Sequence, residues 1–424
     1  MAGLNDDAWA RVFATPEVAQ AVVGEGYVII TAARLKELAG REPRLLAKHD
    51  FSAARPAYFR EHGLSILPVR RDAYLVGRFS LYEDFPTQPA PLKRLRVPAG
   101  IESLDFENLT SEAVMLNAAV LAGVLEDFVG GSQLLPTVTG RMSTTQIPLR
   151  LRDLGLEYTV DRAQMEIDGG YESAEHVVLV EAKNRLSPDF NIRQLYFPFR
   201  RFSQALSKPV LPVYVVYSNG VFHLYRYSFP DPEDFRSIRL EDSARYVLGA
   251  TELTLSVVED IAEQTHPNAE PAAPFPQADS FARVVSLLEM LPLRKADIPE
   301  LFGFTPRQAD YYVNAGRYLG LMWVRDGVVE GIELPGSRDR RNLTLLGALA
   351  RRRVFNGMIR LVCTHQRPLA KEEAIALMED AGLKLSGTTL PRRASTVVAW
   401  SHWVWDLVAP RQLSLREAQP PQTR

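Results

Sequence analysis

Val177-Val-Leu-Val180 is an unbroken apolar run that ends in Glu181-Ala-Lys183. A continuous run of this kind predicts a strand buried on both faces, because a half-exposed strand alternates apolar with polar residues. Strand side chains alternate with period two, so Glu181 and Lys183 leave that strand on the same face. A buried strand finishing in two opposite charges restricts the chain to a covered α/β sheet with polar chemistry gathered at one end.

The surrounding residues set an order for that sheet. Thr110-Ser111-Glu112 supplies a capping hydroxyl and a first-turn acid, predicting a helix to about Phe128 that Gly130-Gly131 stops. Strands are expected at 145–152, 162–167 and 176–181, then a helix from about Asn191 to Leu206. Two further strands, 211–217 and 222–227, flank Ser218-Asn219-Gly220, whose Asn-Gly signals a hairpin. The predicted order is helix, three strands, helix, strand, strand.

The chemistry lies in Glu166-Ile-Asp168 and Glu181-Ala-Lys183-Asn184. Asp168 is expected to end one strand at a Gly169-Gly170 turn, and Glu181 and Lys183 to close the next. Two carboxylates and a lysine then meet at the exposed end of the sheet. Mg²⁺ prefers carboxylate and carbonyl oxygens plus water, so Asp168, Glu181 and the Ala182 carbonyl are suitable ligands. A metal held there makes hydroxide available and stabilises charge on a phosphate. Lys183 is placed to orient or deprotonate the attacking water, with a pKa lowered by its surroundings. The plain alternative is an edge-strand ion pair between Glu181 and Lys183.

These residues resemble the PD-(D/E)XK nuclease superfamily, over roughly residues 105–230. In that resemblance Asp168 is the motif aspartate, and Glu181 and Lys183 are the E-x-K pair. Ile167 stands where the motif's name has proline. The resemblance implies that Glu112 completes the acidic set and that Gln194 and Tyr196, on the following helix, belong to the site. Thr139-Gly-Arg-Met-Ser143, Val180-Glu-Ala-Lys-Asn184 and Ile192-Arg-Gln-Leu-Tyr196 are similar to restriction-enzyme sequences. It further implies Mg²⁺, double-stranded DNA as substrate, 5′-phosphate ends, a homodimer, and a cognate DNA methyltransferase in the same system. A methylation-dependent or repair nuclease on the same core is an alternative. So is a non-catalytic DNA-binding regulator.

Charge distribution bears on the rest of the chain. The net charge is only −2, but residues 279–424 carry 21 Lys and Arg against 15 Asp and Glu, and residues 1–100 carry 14 against 11. Residues 101–263 carry 14 against 24, an acidic centre between basic flanks. A single cysteine, Cys363, excludes a disulfide framework and a multi-thiolate zinc site. With no long apolar span or leader-like start, the expectation is a cytoplasmic protein that does not enter membranes.

The expected organisation begins with an α+β domain at 1–98, with a helix at 32–39 and strands at 65–69 and 73–77. Its polar stretches 43–50 and 55–60 read as solvated loops or as DNA contacts. The α/β mixed-sheet nuclease core spans 99–263, and a proline-rich linker 264–278. Residues 279–345 resemble a winged helix: helices at 281–290 and 295–302, a third opened by Thr305-Pro306 and running to Leu319, then a hairpin around Asp326-Gly327. Arg307, Gln308, Tyr311 and Asn314 are its base-reading candidates, as Arg and Gln bond guanine and adenine edges bidentately. A mainly helical extension, 346–412, carries a second helix-turn-helix-like end with Thr389, Arg392, Arg393 and Ser395 as DNA-facing candidates. The basic clusters 338–341 and 351–353 are candidates for phosphate contact. Arg141, beside Gly140, is a candidate phosphate ligand on a small-residue loop. Arg200 and Arg201 read either as backbone trackers or as partners for local acids. Residues 413–424 read as a disordered tail.

Overall fold

The computed structural model describes residues 4–87, 90–98, 100–249, 253–383, 389–408 and 412–413; of the expected tail, Leu413 ends a strand and residues 414–424 lie outside the described residues. The fold is mixed α/β, and the described residues form four sheets.

The first hundred residues form helices α1 (Leu4–Phe13) and α2 (Pro16–Gly24), strand β1 (Tyr27–Thr31), helices α3 (Ala32–Ala39), α4 (Pro43–Leu46) and α5 (Ala57–Glu61), then strands β2 (Ser65–Arg70), β3 (Ala73–Gly77), β4 (Tyr82–Asp84) and β5 (Leu92–Leu95). Thr31 caps α3 by accepting the Arg34 N–H at 3.3 Å, and Gly40 ends it in the left-handed region at φ 64°. Trp9, Phe13, Leu35, Phe59 and Val76 pack the core of this region.

The centre contains α6 (Glu112–Leu121), α7 (Val124–Val129), β6 (Leu135–Ser143), β7 (Gln146–Leu151), β8 (Leu156–Asp161), β9 (Gln164–Glu172), β10 (Val177–Lys183), β11 (Asp189–Asn191), α8 (Arg193–Ser203), β12 (Val210–Ser218), β13 (Val221–Ser228), β14 (Arg239–Leu248) and α9 (Leu255–Gln264). Strand β10 is buried at every position and lies inside an eight-stranded sheet. It pairs antiparallel with β9 and parallel with β12, the parallel step crossing through α8. Apolar side chains cover both faces: Val177 and Leu179 with α8 on one, Val178, Val180 and Ala182 with α6 and α7 on the other. The β12–β13 hairpin turns through Asn219 and Gly220 at φ 49° and 70°, the two positive angles a type I′ turn requires.

Three expectations change here. The helix from Glu112 is interrupted at Gly123, which adopts φ 70° and separates α6 from α7. The strand at 146–151 does not join the central sheet; β7 and β8 form a hairpin that completes the first sheet, of order β1-β3-β2-β8-β7. The central sheet uses β6 instead, over residues expected as a loop. Finally, Gly169 and Gly170 do not turn: β9 runs through them to Glu172. A Cβ on Gly170 would fall 2.9 Å from the Val138 carbonyl oxygen of the neighbouring strand, and one on Gly169 would meet the Tyr171 side chain.

The remaining chain forms α10 (Phe281–Glu289), β15 (Leu293–Arg294), α11 (Ile298–Phe302), α12 (Pro306–Leu319), β16 (Met322–Arg325), β17 (Val328–Gly331), α13 (Arg338–Ala350), α14 (Arg353–His365), α15 (Lys371–Asp380), α16 (Thr389–Val408) and β18 (Gln412–Leu413). Strand β15 adds to the β16–β17 hairpin, giving a three-stranded sheet beside α10, α11 and α12. Trp400 is fully buried among them, stacking on Phe355 and meeting Phe281, with its indole N–H donated to the Ala278 carbonyl at 3.0 Å. The proline-rich stretch after α9 is exposed over residues 266–270 and packs at its end. Phe275 and Ala278 are buried in the helical core, and Tyr318 donates its hydroxyl to Glu270 at 2.5 Å. Val258 and Ala262 place α9 in that same core.

Candidate active site

The site begins where two strands part. The β9–β10 pairing extends from Val177 opposite Glu172 to Val180 opposite Gly169 and stops there. Beyond it the Asp168 carboxylate takes the place of a backbone acceptor, receiving the Ala182 N–H at 2.8 Å. The Thr139 hydroxyl on β6 donates to the Asp168 carbonyl at 3.3 Å, which pins the aspartate from the other side.

Glu181 and Lys183 project from β10 on the α8 face and are 6% and 7% exposed. The Lys183 ammonium donates to Glu181 Oε1 at 2.5 Å and to the Ala182 carbonyl at 2.9 Å, and lies 3.9 Å from Asp168 Oδ2. Gln194, on the first turn of α8, donates its amide N–H to the same Glu181 oxygen. Burial pushes the Glu181 carboxyl up to about 8, with Lys183 opposing and Asp168 reinforcing the shift. Burial also works to lower Lys183, but Glu181 and its other anionic neighbours outweigh it and hold the ammonium well above its usual range. Lys183 is therefore a fixed cation, contrary to the lowered pKa expected for a proton acceptor.

Glu112 stands at the first position of α6, behind the Ser111 cap. It is half-buried, its carboxyl is raised by burial, and it lies in the fields of Lys183 and Asp168. Of the two α8 residues expected here, Gln194 reaches the site and Tyr196 does not. The Tyr196 side chain turns the other way, donating to the Pro232 carbonyl at 2.7 Å among Phe229 and Phe235.

Two residues here were not singled out from the sequence. Tyr214 is opposite Glu181 on the neighbouring strand, fully buried, with a hydroxyl that has no hydrogen-bond partner. Asp50 comes from the first region, and its charge acts on Glu112, Glu181 and Tyr214. Neither carries a local signal: an Asp in a polar loop and a Tyr in an apolar strand are ordinary.

The remaining candidates lie elsewhere. Arg141 is on strand β6, not on a loop; its side chain is 66% exposed and sits 3.4 Å from Glu166. Arg201 donates to the Ser143 carbonyl at 2.5 Å, and Arg200 is buried. On α12, Gln308 forms a capping box with Thr305, so its side chain is engaged by the helix's own start. Arg307 is exposed, with its guanidinium 5.5 Å from the Tyr311 ring, and Asn314 accepts from Arg317 at 3.1 Å. Arg393 on α16 lies in the field of Tyr311, which brings the two helices' candidate residues to one side, with Arg392 exposed beside them. The basic clusters are divided: Arg341 pairs with Glu289 at 2.8 Å, Arg338 donates to the Asn219 carbonyl at 3.1 Å and Arg352 covers the Tyr318 ring, while Arg340, Arg351 and Arg353 are exposed.

Three family models match this chain. Residues 6–76 match a domain of unknown function (DUF6996), residues 77–247 a second (DUF6997), and residues 283–409 a third (DUF7226). The acids of β9 and β10 fall in the second match and α12 and α16 in the third. No curated protein matches the chain. No solved structure matches it either.

Among the described residues, no three His, Cys, Asp or Glu side chains are grouped to hold a metal ion by themselves. What the site offers is two carboxylates, Asp168 and Glu181, and the Ala182 carbonyl around one ammonium. A cation there would keep water in much of its shell, as Mg²⁺ commonly does. Among the described residues, no helix is long and apolar enough to cross a membrane.

Proposed function

We propose that the chain is a Mg²⁺-dependent, site-specific double-strand DNA endonuclease of the restriction type, built on a PD-(D/E)XK core. The observation that carries this reading is the meeting of Asp168, Glu181, Lys183 and Gln194 where β9 and β10 diverge. Hard oxygen donors around a carboxyl raised to about 8 fit a divalent cation, since a neighbouring positive charge is what such a group needs to ionise. Asp168, Glu181 and the Ala182 carbonyl would hold it. When bound, the metal supplies Lewis acidity to a phosphate and acidifies its water.

The chain's own residues do the rest. Lys183, fixed as a cation, stabilises charge on the phosphate oxygens as the attack proceeds. Gln194 holds Glu181 in place, and the Ala182 N–H fixes Asp168. Proton removal from the attacking water falls to a carboxylate or a second water, because Lys183 is already protonated and cannot accept another proton. The expected product carries a 5′-phosphate. One such site cuts one strand, so a double-strand break calls for a homodimer. A cell holding this enzyme needs a cognate DNA methyltransferase and works on DNA in its cytoplasm.

Helices α10 to α12 with β15 to β17 support a winged-helix reading, with α12 in the major groove. Arg307, Tyr311 and Asn314 face the bases, and Arg392 and Arg393 of α16 meet the backbone.

The test is incubation of the purified chain with unmethylated plasmid and phage DNA, with Mg²⁺ or EDTA, beside Lys183→Ala. Discrete fragments that need Mg²⁺ and vanish in the variant support the proposal, and end sequencing gives the site. Intact DNA on both unmodified and methylated substrates overturns it in favour of a non-cleaving DNA-binding regulator.

A further inference from the structure

A cavity of about 800 Å³ lies between the central sheet and the helices that follow it. Its floor is the face of β13 that carries His223 and Tyr225, with Arg245 of β14 paired beside His223. The first turn of α10, helix α16, Phe85 and the loop after Lys183 form its walls. Two ties hold those walls in place. Arg245 meets Asp406 of α16 at 2.7 Å, and Arg283 of α10 donates to the Ser187 carbonyl at 3.2 Å. The cavity is therefore preformed where two regions meet, a common position for small-molecule sites.

Its lining selects the kind of ligand. Aromatic rings come from both sides: Phe85 packs on Tyr225 at 4.8 Å at the sheet, and Phe281 on Trp403 at 4.4 Å at the helices. Such rings suit a flat, unsaturated ligand. The fixed charges cancel, with Asp84, Asp279 and Asp406 set against Arg245, Arg283 and Arg338. A polyanion needs an excess of cations, so a DNA backbone or a triphosphate is a poor match. Polar groups suited to an uncharged ligand are present. His223 is half-buried and makes no hydrogen bond among the described residues, and burial with Arg245 pushes its ring down to about 3. A neutral imidazole offers one donor and one acceptor. Asn219, in the same lining, has a buried side-chain oxygen with no hydrogen bond. Buried polar atoms left open in this way are costly unless a ligand or water engages them.

We infer that this cavity binds a nucleobase, a flat and uncharged ring with donors and acceptors along its edge. A free nucleoside supplies that chemistry, and so does a base swung out of a DNA strand. Only the second source rests on the DNA-binding reading given above. The occupant lies against the loop that leaves Lys183 and against Gln308 at the start of α12.

The experiment is calorimetric titration of the full chain, in EDTA, with adenosine, guanosine, cytidine and thymidine and with their triphosphates. In parallel, random-sequence duplexes carrying 2-aminopurine in place of adenine report an unstacked base by a rise in fluorescence. His223→Ala removes part of the polar edge, and Ala282→Trp fills the cavity from α10. Each is expected to weaken nucleoside binding roughly tenfold or more, or to abolish the fluorescence rise. Nucleoside binding that both variants weaken identifies a free ligand. A fluorescence rise without nucleoside binding, lost in both variants, identifies a base from DNA. Where the variants differ, Ala282→Trp decides, since it blocks the cavity itself; if it lacks a cooperative melting transition, His223→Ala decides. Signals unchanged in the deciding variant place the ligand elsewhere and overturn the inference. Absence of both signals overturns it too, and leaves the cleavage proposal to its own test. A triphosphate that binds more than about tenfold tighter than its nucleoside overturns the uncharged class of ligand.

Discussion

The Asp168 carboxylate receives the backbone N–H of Ala182 at 2.8 Å, just past the last paired residues of their two strands. A side chain therefore does the work of a sheet acceptor. One Asp168 oxygen is fixed by this bond. Asp168→Asn keeps the shape but removes the charge and risks presenting an amide N–H to Ala182. Cleavage should fall by roughly 10²- to 10⁴-fold with DNA binding retained, measured by plasmid nicking beside a gel-shift assay.

Lys183 and Gln194 share Glu181 Oε1. Gln194→Ala frees the carboxylate to rotate without removing charge. Its expected effect is a roughly 10- to 100-fold loss of metal affinity or rate, smaller than that of Lys183→Ala. Raising Mg²⁺ should restore much of the Gln194→Ala rate and little of the Lys183→Ala rate.

Glu181 gives a pH signature. Burial raises its carboxyl to about 8, so near neutrality the metal-free site keeps a proton that a cation must displace. Metal affinity should rise with pH, by up to about tenfold per unit, and level off above about 8. Stability runs the opposite way. A raised carboxyl favours folding below the ordinary carboxylate range, and that contribution disappears as pH rises through about 8. The metal-free chain should melt lower at pH 9 than at pH 6, and Glu181→Gln should flatten that dependence; calorimetric melts across pH check both.

Arg307 and Arg393 separate two kinds of DNA contact. Arg307→Ala should cost about 1–3 kcal/mol and relax preference at one base pair. Arg393→Ala should weaken binding evenly across sequences and reduce the salt slope by about 1. Binding titrations over a salt series, with specific and random duplexes, distinguish the two.

Trp400 anchors the helical core. Truncation to Ala removes its stacking on Phe355 and its bond to Ala278, and should cost about 3–5 kcal/mol. Urea unfolding measures it.

How far the sequence could be read depends on where each signal lives. Strand β10 announces itself because burial on both faces forces four apolar residues in a row, and the charges after it have to fall on one face. The Asn219-Gly220 turn is equally local, since few other residues accept two positive φ angles. Gly169 and Gly170 misled for a physical reason: a glycine kept by crowding inside a strand and one needed for a turn look the same in sequence. The fate of β7 and β8 was hidden because nothing within a hairpin states which sheet its edge will join. The place of Asp50 was hidden for the same reason, as its backbone carbonyl is held by the Asn191 N–H far along the chain. Gln308 satisfies both a base-reading pattern and a capping box, and the box uses its side chain.

The β7–β8 hairpin lies in the chain between β6 and β9, yet it closes the sheet begun by β1, β2 and β3. The first two of the three matched regions are therefore interlocked rather than strung in series. Exchange of either one as a cassette between related proteins would leave a raw sheet edge in each product. Shuffling in such a lineage has to carry the first and second regions as a single inheritance unit. A gene fragment cut near residue 77 would encode half of a joint.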